Sequence, residues 1–229
     1  DFIAPLILGQ NVADADDFQR RVDGIRGHQL AKAGVEMAIW DLLGKRDGKS
    51  LCGMLGGERT KVDVGVSVGL QSSPERLVRT VADYVAQGYR RVKIKIKPGR
   101  DAGDTSAVRA AFPNLLLQVD ANSAYSLKTS AALKPLDDLD LLLIEQPLHE
   151  DDIWDHRKLQ AEFKTAICLD ESIVTPRHAR YAIEMDACRI INIKPGRLGG
   201  LSQGVAVHDL CKTRGMAVWC GGMLETGSG

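Results

Sequence analysis

Three acidic residues recur at positions 120, 145 and 170, each closing a short apolar run: Asp120 in LLLQVD, Glu145 in LLLIE and Asp170 in AICLD. Apolar runs of this length read as buried strands, and a carboxylate at the C-terminal end of one has left the core for a rim. The constant step of 25 residues leaves room for one helix and two loops, which is a βα unit. Lysines flank the acids at nearly the same step, with Lys93 and Lys95 in RVKIKIK before them and Lys194 in INIKPG after them. Successive βα units would gather three carboxylates and three lysines around one mouth.

Strand signals fall at 62–69, 91–96, 115–120, 140–145, 166–170, 188–193 and 216–220. Helical patterns fill the gaps: from Pro74, over Ala107 to Phe112, Leu127 to Leu139, Asp152 to Phe163, Pro176 to Met185 and Leu201 to Arg214. Ahead of them, residues 14–46 read as helical, with Asp14 or Asp16 as cap and Gly24, Gly27 and Gly34 interrupting, and Gly44 to Gly57 is a glycine-rich connection. Such a series folds either as an open doubly wound sheet or as a closed (β/α) barrel. Neighbouring strands lie about 4.8 Å apart, so in an open sheet the outer strands could not share one small ligand. The spread of polar residues over consecutive strand ends therefore favours the barrel. An eighth strand has no counterpart in the chain. Both ends look cut, and after Met223 to Gly229 a further helix is expected, so the chain reads as a fragment or ordered part of something longer.

At 229 residues and 44% hydrophobic, the chain can bury a full core. Thirty basic and thirty acidic residues leave no net charge, which gives no basis for a nucleic-acid or anionic-membrane partner. No apolar run approaches the length of a membrane span, and the start DFIAPLILGQ lacks a signal-peptide pattern. Cys52, Cys168, Cys188, Cys211 and Cys220 are odd in number and show no CxxC spacing, so buried, reduced thiols of a cytoplasmic protein are expected.

Asp120, Glu145 and Asp170 are oxygen ligands on three adjacent strands, with no histidine or cysteine at equivalent places. Carboxylates alone select Mg²⁺, or Mn²⁺, over zinc. The competing reading has three strand-end acids capping helices or pairing with surface lysines, which their equal spacing disfavours. Lys93 and Lys95 alternate with Val92, Ile94 and Ile96, so both ammonium groups lie on one face, about 6.6 Å apart along the strand. Two adjacent, partly buried cations disfavour each other's charge, so one lysine is expected to release its proton near neutral pH and act as a base. Lys97 precedes Pro98-Gly99 and is expected past the strand end, in solvent. A solvated edge strand would show the same alternation. Lys194 ends the sixth strand, and its glycine-rich sequel, Gly196 to Gly200, lacks a phosphate-loop pattern and reads as a tight βα turn.

The set KxK, DAN, EQPL, DES and NIKPGRLGGL, followed by WCGGMLETG, resembles the enolase superfamily in its muconate-lactonizing subgroup. More closely it is similar to the o-succinylbenzoate synthase/N-acylamino acid racemase family, over roughly residues 28 to 227. The resemblance implies an α/β fold, an enolase-type modified (β/α) TIM barrel under an α+β capping domain. Residues 1–60 would be a remnant of that cap with connecting helices, and 61–229 the barrel, lacking its last strand. It implies Lys95 as acid/base on one face of a small carboxylate substrate, Lys93 as the neighbour that lowers its pKa, and Lys194 as the opposite-face lysine. Asp120, Glu145 and Asp170 would hold Mg²⁺, and Ser67 and Gly222 would contact the substrate carboxylate. The implied activity is Mg²⁺-dependent proton abstraction next to a carboxylate, by a synthase in menaquinone biosynthesis, a racemase, or both; a homo-oligomer is expected. A muconate-type cycloisomerase or dipeptide epimerase would use the same six residues, although the KPGRLGG and WCGGMLETG surroundings point away from them. A non-catalytic fragment of such an enzyme is the reading from another class.

Overall fold

A computed structural model of the chain describes residues 2–223. They fall into two compact units. One takes the chain up to Lys61, with Ile173–Ala179 and the chain from Asn192 onward; the other is Val62–Ser172 with Arg180–Ile191.

In the first unit α1 (Ala4–Ile7) is a single turn, followed by α2 (Ala15–Val22) and α3 (Gln29–Asp47). Asp14 starts α2 by accepting from the Asp17 amide at 2.7 Å, and Ala15, Phe18 and Val22 form its buried stripe. The helical stretch expected over 14–46, with Gly24, Gly27 and Gly34 interrupting it, is thus two helices, and Gly34 lies inside the second. Gly27 and His28 take φ of 69° and 56°, which no helix interior contains, and Gly24 weakens the approach to that break. Gly48, at φ 63°, ends α3 in the same left-handed region. After α4 (Leu51–Met54) the chain leaves this unit.

The second unit alternates strands and helices. It runs β1 (Gly65–Val68), α5 (Pro74–Ala86), β2 (Arg91–Lys95), α6 (Ala102–Ala111), β3 (Leu116–Asp120), a 3₁₀ helix (Ser130–Asp138), β4 (Ile144–Glu145), α7 (Ile153–Glu162) and β5 (Ile167–Leu169). Ser73, Asp101 and Asp152 cap α5, α6 and α7 by accepting backbone N–H bonds. The helix expected over 127–139 is 3₁₀ because Pro135 sits inside it, with no N–H to donate and a ring that crowds the preceding turn. Then α8 (Pro176–Glu184), β6 (Ile190–Ile193), α9 (Pro195–Leu198), α10 (Leu201–Thr213) and β7 (Ala217–Cys220) complete the series.

The strand order is β1-β2-β3-β4-β5-β6-β7, and the pairs from β1 through β6 are parallel. Val92, Ile94, Leu117, Val119, Ile144 and Ile167 are fully buried, as strands covered on both faces require. Strands are shorter than the apolar runs suggest. Val62 and Val64 are exposed ahead of β1, and Asp140, at φ 49°, interrupts the run before β4. Cys168, Cys188 and Cys211 are buried as expected, whereas Cys52 and Cys220 are exposed. No helix among the described residues is long and apolar enough to cross a membrane.

Each unit holds a buried polar side chain on which its packing depends. In the first, the Glu36 carboxylate of α3 accepts from the Leu201 amide at 2.8 Å, the Ser202 amide at 2.9 Å and hydroxyl at 2.6 Å, and Trp40 Nε1 at 2.9 Å. It thus caps α10, and a Cβ at Gly200 would collide with it. Glu36→Ala leaves those donors buried without an acceptor, so a loss of about 2–4 kcal/mol is expected in denaturant unfolding; a change below about 0.5 kcal/mol would show the cap to be dispensable.

In the second unit His156 is buried in α7, with Nε2 accepting from the Leu148 amide at 3.1 Å and Nδ1 bonded to the Asp152 carbonyl. Burial, its largest cause, pushes the pKa of this histidine below the ordinary value of 6.5. The unfolded chain then binds a proton at a higher pH than the folded one. Its stabilising contribution is complete above about pH 6.5 and is lost as pH falls through the lowered folded value. Unfolding midpoints measured across that window should fall less steeply in His156→Gln than in the unmodified protein.

Candidate active site

Parallel register sets the site in the second unit. Lys95 pairs with Asp120 and Asp120 with Glu145, so three strand ends finish level. Asp170 follows β5 directly. All three carboxylates are at most 1% exposed. The period-two alternation of β2 places Lys93 and Lys95 on one face, as expected: both ammonium groups reach Asp120 Oδ2, at 2.9 Å and 2.6 Å. Lys93 also donates to both oxygens of Glu145, at 3.2 Å and 3.0 Å. Lys97 is exposed beyond the strand, again as expected.

The electrostatics add what β2 alone does not carry. Burial works against the charge of Lys93, but Glu145 and Asp120 outweigh it and hold its pKa above the ordinary lysine value. The sequence suggests mutual repulsion between cations, whereas Lys93 lies between two anions. For Asp120, burial raises the pKa while Lys93 and Lys95 more than reverse it. Glu145 is pushed up to about 7, first by burial, then by Asp120, with Asp170 adding to the rise and Lys93 opposing it. Its raised pKa records the repulsion among carboxylates held close in a dry place.

Which cation this donor set could hold follows from its chemistry. Among the described residues no three His, Cys, Asp or Glu side chains are drawn tightly enough together to grip a metal ion. A cation nevertheless stands against two of the three carboxylates, in the form of the Lys93 ammonium, at hydrogen-bond rather than coordination distance. Glu171, the next residue after Asp170, leaves Oε2 buried without a hydrogen-bond partner. Hard oxygen donors, mutual repulsion and an unused carboxylate oxygen fit a divalent ion of the Mg²⁺ type.

The remaining candidates divide. Ser67 pairs in register with Lys93 and is exposed on β1. Lys194 and Gly222 belong to the other unit. Lys194 is half-buried at the start of α9, where its carbonyl accepts from the Arg197 and Leu198 amides at 3.0 Å and 3.1 Å. Gly222 is exposed after β7, and the part of WCGGMLETG from Leu224 on lies outside the described residues. Three residues go unassigned in the sequence reading. Asn122 Oδ1 accepts from Lys95 and its Nδ2 donates to Glu171 Oε1 at 2.8 Å, while its amide donates to Asp120 Oδ1 at 2.9 Å. Gln146 and Ser172 tie neighbouring turns together. Their motifs, DAN, EQP and DES, are visible, but the bonds they make are tertiary.

Comparison with known proteins agrees with this geometry. Residues 76–229 match the family described as "Enolase C-terminal domain-like", and residues 1–56 match "Mandelate racemase / muconate lactonizing enzyme, N-terminal domain". The chain belongs to the mandelate racemase/muconate lactonizing enzyme family of the enolase superfamily. Among its relatives are an o-succinylbenzoate synthase of Bacillus subtilis, 50% identical over 99% of this chain, and an N-succinylamino acid racemase of Thermus thermophilus, 49% identical over 98%. An enolase-superfamily crystal structure from Listeria innocua superposes with a TM-score of 0.94, at 43% identity, over 98% of this chain. The chain spans about three fifths of their length, 61% of each. The expected enolase-type fold class is therefore shown.

Lys93 itself offers a test. Removing one partner of a buried ion pair costs about 3–5 kcal/mol because the other charge stays behind. Lys93→Met in the intact protein should lower the thermal midpoint in chelator, and Mg²⁺ should restore part of the loss. Equal midpoints for variant and unmodified protein in chelator would contradict this account of the cluster.

Proposed function

We propose that the intact protein removes the proton from a carbon next to a carboxylate, as an o-succinylbenzoate synthase, an N-acylamino acid racemase, or both. The observation that carries this reading is Lys95, whose amine stands 2.6 Å from Asp120 at the level of the buried carboxylates. The names of the relatives support the substrate class.

A Mg²⁺ ion held by Asp120, Glu145 and Asp170 would supply the positive charge that makes such a weakly acidic proton removable. Lys95, once deprotonated, takes the α-proton through Nζ, which Asp120 and Asn122 orient from two sides. Lys93 stays protonated, held so by Glu145 and Asp120, and contributes fixed positive charge rather than proton transfer. In a racemase, Lys194 as an ammonium returns a proton to the opposite face of the same carbon, and the two lysines exchange roles in the reverse direction. In a synthase, Lys194 stays cationic and supports the enolate. Lys95 then gives its newly acquired proton to the departing hydroxyl, so that water leaves as the carbon–carbon double bond forms. The same residues would serve a cycloisomerase or a dipeptide epimerase.

Arginine keeps its proton in proteins, so Lys194→Arg preserves a charge while removing an acid/base. In the intact protein, that variant should lose racemisation. Exchange of the α-proton of an N-succinylamino acid in deuterium oxide, followed by proton NMR, should continue for one enantiomer only. Lys95→Ala should lower turnover about 10²–10⁴-fold, the usual contribution of a positioned acid/base. Equal exchange of both enantiomers in Lys194→Arg would overturn the two-face assignment.

A further inference from the structure

Gln146 follows Glu145 and is fully buried, at 0% exposure. Its φ is +36°, a left-handed backbone that is uncommon for a residue with a side chain and that persists only where surroundings hold it. The surroundings do so completely. Oε1 accepts from the Asp170 amide at 2.9 Å and the Ser172 amide at 3.2 Å. Nε2 donates to Ser172 Oγ at 2.7 Å and to the carbonyls of Leu148 at 3.2 Å and His149 at 3.3 Å. Its own amide donates to the Cys168 carbonyl at 2.8 Å, and its carbonyl accepts from the Ser123 amide at 2.8 Å. Every donor of the residue is therefore used, and both of its oxygens accept.

Those partners lie on three consecutive turns. Ser123 follows Asp120, Gln146 follows Glu145, and Cys168 to Ser172 bracket Asp170. A single residue links the three turns that carry the carboxylates, through its side chain to the turn after β5 and through its backbone carbonyl to Ser123. The turn after β5 gains most from it, because the amide of Asp170 is fixed by the side chain of a different strand.

We propose that Gln146 is a positioning residue that sets the spacing of Asp120, Glu145 and Asp170 and thereby their affinity for a divalent cation. The inference rests on the Mg²⁺ reading above, and its consequences differ from those of that reading. Asp170 and Glu145 repel one another, so turns released from Gln146 will let the carboxylates move further apart. A residue serving only stability would lower the unfolding temperature and leave the folded protein's Mg²⁺ affinity alone. A positioning residue changes the affinity of protein that is still folded, in the range of about 10–100-fold found for groups that orient metal ligands.

The experiment uses the intact protein, with Mg²⁺ titrated by calorimetry and backbone amide exchange followed by mass spectrometry in chelator. Gln146→Met keeps the volume and removes all five side-chain bonds. It should weaken Mg²⁺ binding about 10-fold or more while circular dichroism stays unchanged, and it should speed exchange in the peptide covering Asp170 to Ser172. Wild-type affinity and wild-type exchange in the folded variant would overturn the inference. If Gln146→Met does not fold, Ser172→Ala removes one of the five bonds. A several-fold loss of affinity with faster exchange in that peptide then supports the role, and unchanged values overturn it. Asp170→Asn separates the two readings. If it leaves Mg²⁺ binding intact, the metal assignment fails, and with it the affinity half of the inference, while exchange in Gln146→Met still decides whether Gln146 fixes the turn. If Asp170→Asn abolishes binding and Gln146→Met does not weaken it, only the role of Gln146 fails.

Discussion

The level register of β2, β3 and β4 is the constraint on which the candidate site depends. In a parallel sheet with both faces covered, an ionised side chain at a strand end has no water to turn to. Asp120 and Glu145 are placed side by side in such a position, and each would raise the cost of ionising the other. Lys93, two residues before their register on the adjacent strand, has the length to reach both. The alternation that buries Val92 and Ile94 on the opposite face is what sends Lys93 and Lys95 to this one. A shift of one residue in β2 would exchange the two sets, burying charge in the apolar layer and hydrocarbon against the carboxylates.

The two units solve the burial of a carboxylate differently. Glu36 is surrounded by N–H and O–H donors: two amides at the start of α10, a hydroxyl and an indole. Fixed dipoles suffice there, and nothing in the arrangement asks for a mobile charge. Asp120 and Glu145 are met chiefly by ammonium groups, whose protons and positions can change. The first arrangement builds a helix cap. The second leaves a place where charge can be redistributed, which is what proton abstraction next to a carboxylate needs.

Much of this was legible in the residues themselves. Equal spacing of Asp120, Glu145 and Asp170 after apolar runs gave the strand ends, and the alternation in RVKIKIK gave the shared face of Lys93 and Lys95. Other features depend on backbone angles or long-range partners that no local pattern carries. The break between α2 and α3 needs Gly27 and His28 at positive φ, and only glycine advertises that. Pro135 is plain in the sequence, yet the strength of the surrounding helical pattern masked its effect. The raised pKa of Lys93 has no signal along its own strand, where only a neighbouring lysine is visible, because the two carboxylates arrive from other strands. Gln146 is the least legible, since three of its five side-chain bonds reach a turn that is adjacent only in the fold.

The chemistry of the second unit supports the proposed metal reading independently of family resemblance. Asp120, Glu145, Asp170 and Glu171 lie at or beside the strand ends, with Lys93 and Lys95 bonded among them. Asn122 bridges Lys95 and Glu171, but an amide carries no net charge. Burial and the neighbouring carboxylates push the pKa of Glu145 up to about 7, so its charge is held at a cost. A divalent cation would offset that cost and favour the ionised carboxylates. On the proposed reading Lys93 has a further role. With a cation bound, its ammonium would keep Asp120 and Glu145 from spending their full charge on the ion, so that positive charge would be left over for the carboxylate of a substrate.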